Sequence, residues 1–438
     1  MKTRLLGAAI ALALAAMPLA SFAGGVGGGN ANSNWTIYGW QNHSFNAIDN
    51  DDRDFTRIDT NAANIGFAAS IDTGLSLGGT AIKANVQCEQ FTYFNHLAGG
   101  TGWCNRNSKF TLSGAWGEVG VAIWLLPFNE MVAQWVDPFY DAGLDSSSSI
   151  MGTHGLASNF YNGGTFDDTA LGGDFDYSNY ADYETGFSRR QEDLIQWWSP
   201  NWNGFNARFA ITSGRDDDGA DGLDPSIIST GITYTTDIGE GDNLWLALTY
   251  EEHDEWTAKS HNQAAAVANG GAEPAAGLDF ANNDGTCSDS DDDAYRLAAR
   301  YIHSWEGGSS TQVSAMYEEL SWENTCTFEN TYEDLEIEHY MISAKHNFTG
   351  PWDIRGSYMD ADEYDCGAGA TACVENDTDA IAYNLGIFYT MPAGTELRLV
   401  YSVVDNEDNA TYDYGINGSG VAQGDTAEAI GIGMVQWF

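Results

Sequence analysis

The chain has 438 residues, with 17 Lys and Arg against 63 Asp and Glu and a formal net charge of −46; it carries 15 Trp, 21 Tyr, 20 Phe and 50 Gly but only 8 Pro. So acidic a chain repels nucleic acid and anionic lipid surfaces, which excludes nucleic acid as a partner. Many aromatics and glycines with little proline favour strands and tight turns over helices.

At the N-terminus, Lys2 and Arg4 precede an apolar run from Leu5 to about Ala16, and Ser21-Phe22-Ala23 closes it with a small-x-small pattern. This predicts a signal peptide over residues 1–23. The run is shorter than the ~20 residues of a spanning helix, which argues against a membrane anchor. Cleavage removes both bases and no acid, so the mature balance is 15 basic against 63 acidic residues, net −48. That charge favours cations and saline surroundings, where self-repulsion is screened. After residue 23 no stretch approaches 18 apolar residues. A secreted β protein or an outer-membrane barrel remains.

Alternation along the chain separates the two. In "NLWLALTYE", Leu244, Leu246, Leu248 and Tyr250 share one face. In "AYRLAARYIHSW", Tyr295, Leu297, Ala299, Tyr301 and Trp305 oppose Arg296, Ala298, Arg300 and Ser304. In "WDIRGSYM", Trp352, Ile354 and Tyr358 oppose Asp353, Arg355 and Ser357. In "ELRLVYSVV", Leu397, Leu399, Tyr401 and Val403 oppose Arg398 and Ser402. Period two marks strands with two unlike faces. A sandwich with a wet outer face shares that pattern. Aromatics near segment ends, as in an interfacial girdle, favour a barrel.

So does the spacing of the connections. Short Gly/Asp-rich turns ("DTGLS", "WGEVG", "NWNGF", "DIGEGDN", "WEGGSS", "FTGPWD", "MPAGTE") alternate with long segments near 49–62, 93–105, 127–190, 214–225, 255–293, 323–334, 364–377 and 407–425. The predicted fold is all-β, a sixteen-stranded antiparallel transmembrane barrel with short turns at one rim and long loops at the other. Its strands begin near 34, 63, 77, 106, 118, 191, 205, 226, 243, 294, 310, 335, 352, 378, 395 and 426. A barrel of this size holds water rather than packed side chains.

The chain ends on "IGIGMVQWF", where Ile430, Ile432, Met434 and Phe438 alternate and Gln436 interrupts. This strand must pair with "NWTIYGWQN" to close the wall, because an open edge in hydrocarbon leaves backbone groups unsatisfied.

In these features the sequence resembles the general trimeric porins of Gram-negative bacteria over nearly the whole mature chain. "TIYGW" is similar to that family's opening strand. "NIGFAASIDTGLSLGGTAIKANVQCE", "CNRNSKFTLSGAWGEVGVAIW" and "RRQEDLIQWWSPNWNGFNARFAI" resemble strands two to seven in order, and "IGMVQWF" resembles the closing strand. The resemblance implies a homotrimer in a lipopolysaccharide-bearing outer membrane. It also implies an assembly machinery that recognises Phe438, and an inward-folded third loop. The third long segment, about 127–190, carries "DPFYDAG", which resembles the start of the family's constriction loop. A structureless stretch of that length counts against an assignment unless a barrel wall gives it partners.

Strand parity directs Lys83, Arg208, Arg296, Arg300, Arg355 and Arg398 to the water side, where a lipid-facing charge would instead cost ~2–4 kcal/mol near the midplane. The resemblance implies a basic wall facing an acidic loop at the narrowest point. The expected wall is Lys83, Arg296, Arg300, Arg355 and Arg398; the expected loop acids are Glu130, Asp137 and Asp141, with Asp145 nearby. Asn64 and Gln196 stand where the family often has Arg, and Trp40 where a polar or basic residue is common. This thinning of basic charge predicts cation selectivity set by field rather than by a binding cage.

Cys88, Cys104, Cys287, Cys326, Cys366 and Cys373 lie in or beside long segments. An even number in an exported chain suggests disulfides, with fifteen pairings open. Topology favours 88–104, 287–326 and 366–373. The absence of CxxC or clustered His argues against metal ligation. The acid runs at 214–224 and 287–295 could hold Ca²⁺ through oxygen, but neither matches an EF-hand, and solvated loops are the better reading. No cofactor is expected. No HExxH, catalytic triad or phosphate loop is found, so no enzyme is expected. The favoured function is passive diffusion of small hydrophilic solutes and ions. A substrate-selective channel, or a plugged-barrel enzyme or adhesin, are the alternatives.

Overall fold

Alternating sequences of this kind pair into a wall only if each strand finds two neighbours, and here every long strand does. The computed structural model describes residues 26–30, 33–92, 103–140, 143–144, 146–153, 155, 186–188, 190–212, 225–256, 290–324, 334–367, 375–392, 394–414 and 418–438. The signal segment 1–23, Asp141, Asp145, Cys287, Cys326, Cys373 and the acid run 214–224 lie outside the described residues.

The strands are β1 (Val26–Asn30), β2 (Ser33–Asp49), β3 (Asp54–Thr60), β4 (Asn64–Leu77), β5 (Thr80–Phe91), β6 (Ser108–Gly114), β7 (Gly117–Leu125), β8 (Arg190–Trp198), β9 (Phe205–Thr212) and β10 (Ser226–Gly239). They continue as β11 (Asp242–Asp254), β12 (Ser290–Ser304), β13 (Ser310–Asn324), β14 (Asp334–Asn347), β15 (Trp352–Ala361), β16 (Asp365–Cys366), β17 (Ala380–Thr390), β18 (Thr395–Asn406) and β19 (Thr426–Trp437). All pairings are antiparallel between chain neighbours, and β19 pairs with β2 to close the ring. Two wall strands are interrupted. The halves β3 and β4 both pair with β2, and β15 and β16 both pair with β14. The barrel therefore has sixteen wall strands. Among the described residues no helix is long and apolar enough to cross a membrane.

Fifteen of the sixteen strands begin within four residues of the predicted starts. The exception is the second, which begins at Asp54 rather than near 63, because "DFTRIDT" pairs back onto Phe45 and its neighbours despite its charge. The first long connection thereby shrinks to residues 50–53. The turn predicted at "DTGLS" instead falls at Gly78 and Gly79, both at positive φ, as a two-residue hairpin turn of this twist requires. The short β1 was not anticipated, since "VGGGN" carries no alternation; it lies along Ser33–Ile37, on the stretch of β2 that β19 does not reach.

Side-chain exposure separates two faces. Outward residues such as Leu297, Tyr301, Ile354, Leu399 and Ile432 are exposed, while inward Arg296, Arg300, Asp353, Arg398 and Ser402 are buried. Phe438 exchanges both backbone bonds with Gly39, at 3.0 Å each, and completes the seam.

Candidate functional site

The chain leaving β7 cannot continue as a strand. Pro127 follows Leu126, fixes a helical φ at the first position and opens a single turn, Pro127–Glu130; a second turn, Ala133–Val136, and a 3-10 turn, Ser147–Ser149, follow. Such short turns leave carbonyls without intrachain partners, and buried carbonyls need donors. The inward faces of the wall supply them.

Arg296 Nη1 donates to Phe128 O at 3.3 Å and Arg300 Nη1 to Trp135 O at 3.5 Å. Ser343 Oγ donates to Val136 O at 2.5 Å, Arg355 Nη1 to Pro138 O at 3.1 Å and Ser402 Oγ to Leu144 O at 3.3 Å. Phe128 N in turn donates to Ser229 Oγ at 3.0 Å. The segment thus touches the inner faces of strands from β10 to β18. Rings reinforce these bonds. The Arg296 guanidinium lies 4.2 Å from the Phe128 ring centroid, Arg300 lies 4.9 Å from that of Trp135, and Arg355 lies 3.5 Å from that of Phe388. Trp135 stacks on Trp245 at 6.0 Å.

The expected basic wall therefore divides. Arg296 is fully buried and ion-paired with Glu318 at 2.6 Å. Arg355 pairs with Asp353 at 2.6 Å and Glu396 at 2.8 Å. Arg300 has no ion-pair partner among the described residues. Arg398 donates to Asn42 Oδ1. Lys83 stands apart: it is exposed near the short-turn end of β5, in register with Asp72 and Ser113, away from the other four.

The expected loop acids divide too. Glu130 ion-pairs with Arg208, a residue that parity had directed inward but that was not included in the wall. Asp137 is 4 % exposed and faces its own segment, accepting from Phe139 N and Ser147 N at 2.8 Å each. It shapes the loop rather than facing water, because a short loop with free N–H groups recruits the nearest carboxylate.

Glu318, Asp353 and Glu396 are the site residues that sequence reasoning missed. Their signal was available: Glu318 stands opposite Arg296 on the adjacent strand, Asp353 two residues before Arg355 on the same strand, and Glu396 two residues before Arg398.

The opposite wall is amide-rich. Asn64, where a base was anticipated, donates to Glu89 at 3.0 Å, and Tyr38, Gln87 and Arg106 donate to the same carboxylate at 2.7, 3.0 and 2.6 Å. Trp40 carries the Arg106 guanidinium 4.5 Å from its ring centroid. Gln196 is fully buried. A small gap opens at the closing seam of β2, β18 and β19, bounded by Leu144 of the segment and by Ser44, Asn46, Arg398, Val400 and Ser402 of the wall. Arg296, Arg355 and Arg208 are thus paired with carboxylates while Arg300 and Arg398 are held by a carbonyl and an amide, and no group of three or more His, Cys, Asp or Glu able to hold a metal is found among the described residues.

Cys88 and Cys104 form a disulfide with Cα atoms 4.7 Å apart. Cys366 is also disulfide-bonded, to a residue outside the described ones.

A family profile described as Gram-negative porin matches residues 8–409. The fold is similar to an anion-selective porin from Comamonas acidovorans, with 19 % identity, 93 % of this chain and 100 % of that chain covered, and a TM-score of 0.58. It is similar to the trimer form of OmpT, an outer-membrane protein of Vibrio cholerae, with 12 % identity, 93 % and 100 % coverage and a TM-score of 0.53. It is also similar to OmpF of Salmonella typhi, with 13 % identity, 94 % and 100 % coverage and a TM-score of 0.51. No curated protein matches by sequence. The chain belongs to the Gram-negative porins: it is an integral outer-membrane β-barrel that works as a channel and not as an enzyme.

Proposed function

We propose that this porin is a cation-preferring diffusion channel for small hydrophilic solutes and ions, narrowed by the described part of the segment that follows β7, between residues 127 and 153. One observation carries the reading. The backbone between Phe128 and Leu144 is held by inward side chains from β10 round to β18, leaving a small gap at Ser44, Asn46 and Arg398. Charge supports the cation preference. The inward bases Arg296, Arg355 and Arg208 are offset by carboxylates, and the chain as a whole carries −46. The Comamonas porin is anion-selective; a bore in which Arg296, Arg355 and Arg208 are paired, in so acidic a chain, should reverse that preference.

The same reading gives residues 1–23 the role of a signal peptide and Phe438 that of an assembly signal. It makes the working unit a homotrimer in a lipopolysaccharide-bearing membrane. Cys287–Cys326 and Cys366–Cys373 then restrain the loops beside Cys88–Cys104, and no cofactor is required.

The test is conductance and reversal potential of the purified protein in planar bilayers under a KCl gradient. Steps of weakly saturating conductance with a cation-positive reversal potential are expected. Anion preference would overturn the selectivity, and saturation by one solute would favour a substrate-selective channel.

A further inference from the structure

The last long connection, Glu407–Asp425, was expected to be an external loop. Glu407, Asp408 and Gln423 are exposed as expected, but residues between them turn inward. Ala410 and Tyr412 are 0 % and 1 % exposed, and Tyr414 and Val421 are also buried. They pack against Ala380, Ala382, Val404 and Ala427 on the inward faces of β17 to β19. Small side chains on those strands leave room inside the wall, and the two tyrosine rings fill it.

Hydrogen bonds fix the segment in place. Asn406 accepts from Tyr412 N at 2.6 Å and donates to Tyr412 O at 3.0 Å. Tyr414 Oη lies 3.1 and 3.0 Å from the carbonyls of Ser402 and Ala427. At its far end, Asp413 gathers Ser419 N and Gly420 N at 2.8 Å each, and Asn50 of the first connection donates to Ser419 O at 3.0 Å.

The segment also meets the one that follows β7. Thr411 N donates to Gly155 O at 2.7 Å, and the Tyr412 ring occupies the space a Cβ at position 155 would need. Beneath the ring, Tyr412 Oη lies 3.1 Å from His339 Nε2, and His339 Nδ1 lies 2.8 Å from Glu318. An ionised carboxylate only accepts, so Nδ1 carries the proton that faces Glu318. Glu318 also accepts from Gly152 N of the β7–β8 segment and from Arg296. One buried carboxylate therefore holds both segments.

We propose that the described residues Ala410–Tyr414 and Ser419–Val421 form a second constriction element and that Tyr412 locks it to the β7–β8 segment at Gly155, so the size limit of the bore is set by two joined segments. The proposal rests on the channel reading above. Asp405 pairs with Thr426, so a two-residue Asn-Gly turn can replace residues 406–425 and keep the β18–β19 register up to that pair.

Single-channel conductance in KCl, and liposome swelling with mono- and trisaccharides, should be compared for the full-length parent, this replacement and Tyr412→Ala. Heat-modifiable gel migration reports folding. The replacement and Tyr412→Ala are each expected to conduct more than the parent and to admit trisaccharide faster relative to monosaccharide. Should Tyr412→Ala fail to fold, the replacement alone decides the matter. A conducting parent with an unchanged replacement variant overturns the second constriction only. A silent parent overturns the channel reading and the constriction with it.

Discussion

Arg398 lies across Gly433. The two are paired in the β18–β19 register, and the guanidinium fills the space that a Cβ at position 433 would need. Asn46 uses Gly431, the next inward position of β19, in the same way. The glycines let two polar side chains lie flat beside the gap at Leu144. Gly433→Ala should push Arg398 into that gap and lower single-channel conductance. Arg398→Ala should raise conductance, and the double variant should conduct more than Gly433→Ala alone. Unchanged conductance in Gly433→Ala would place the narrowest point elsewhere.

Arg296 and Glu318 are both fully buried, so neither charge is available to a passing ion. Arg296→Met should cost about 3–5 kcal/mol of stability, since it strands a buried carboxylate, and a matching apolar replacement of Glu318 should recover part of the loss. Urea unfolding of the detergent-solubilised protein measures both. The reversal potential should barely move in the double variant. A large shift there would mean that the pair does contribute to the field of the bore.

Acid should weaken the proposed cation preference from the loop rim inward. The neighbouring Asp379 raises the Glu407 carboxyl above its ordinary range, and burial does the same for Asp379 itself. A carboxyl raised by the fold takes up its proton sooner in the folded than in the unfolded chain. Protonation therefore favours the fold, and that gain grows as pH falls through the raised value and fades above it. Reversal potentials recorded from neutral pH down to just above the ordinary carboxylate range should show cation preference declining before the bulk of the carboxylates titrate. Glu407→Gln with Asp379→Asn should flatten that early decline.

The Cys88–Cys104 bridge closes a separation of 16 residues, for which loop closure predicts about 3 kcal/mol. Removing both cysteines should lower the thermal midpoint in detergent while leaving the strand content seen by circular dichroism intact, because β5 keeps its pairing with β4 and β6. Loss of strand content would show that the bridge is needed to form the wall.

The wall was legible in the sequence because a strand's faces are set by a local rule. Leu297 and Tyr301 point one way and Arg296 and Arg300 the other, whatever else the chain does. The closing Phe438 was legible for a related reason: a barrel in hydrocarbon cannot leave an edge, so the last strand must find the first. The second strand starts earlier than expected because Phe55 and Ile58 of "DFTRIDT" pair with Ile48 and Phe45, a contact between strands that alternation within the stretch does not show.

Only the tertiary structure decided what the inward charges do. Parity could send Arg296, Arg355 and Glu318 to the same side. It could not say that Glu318 stands opposite Arg296 in the register, or that Phe128 of a segment 168 residues away would cover both. Nor could it distinguish Asp137, turned into its own loop, from an acid facing water. Loop paths depend on contacts between residues far apart in the chain, and these form only once the cylinder has closed around them.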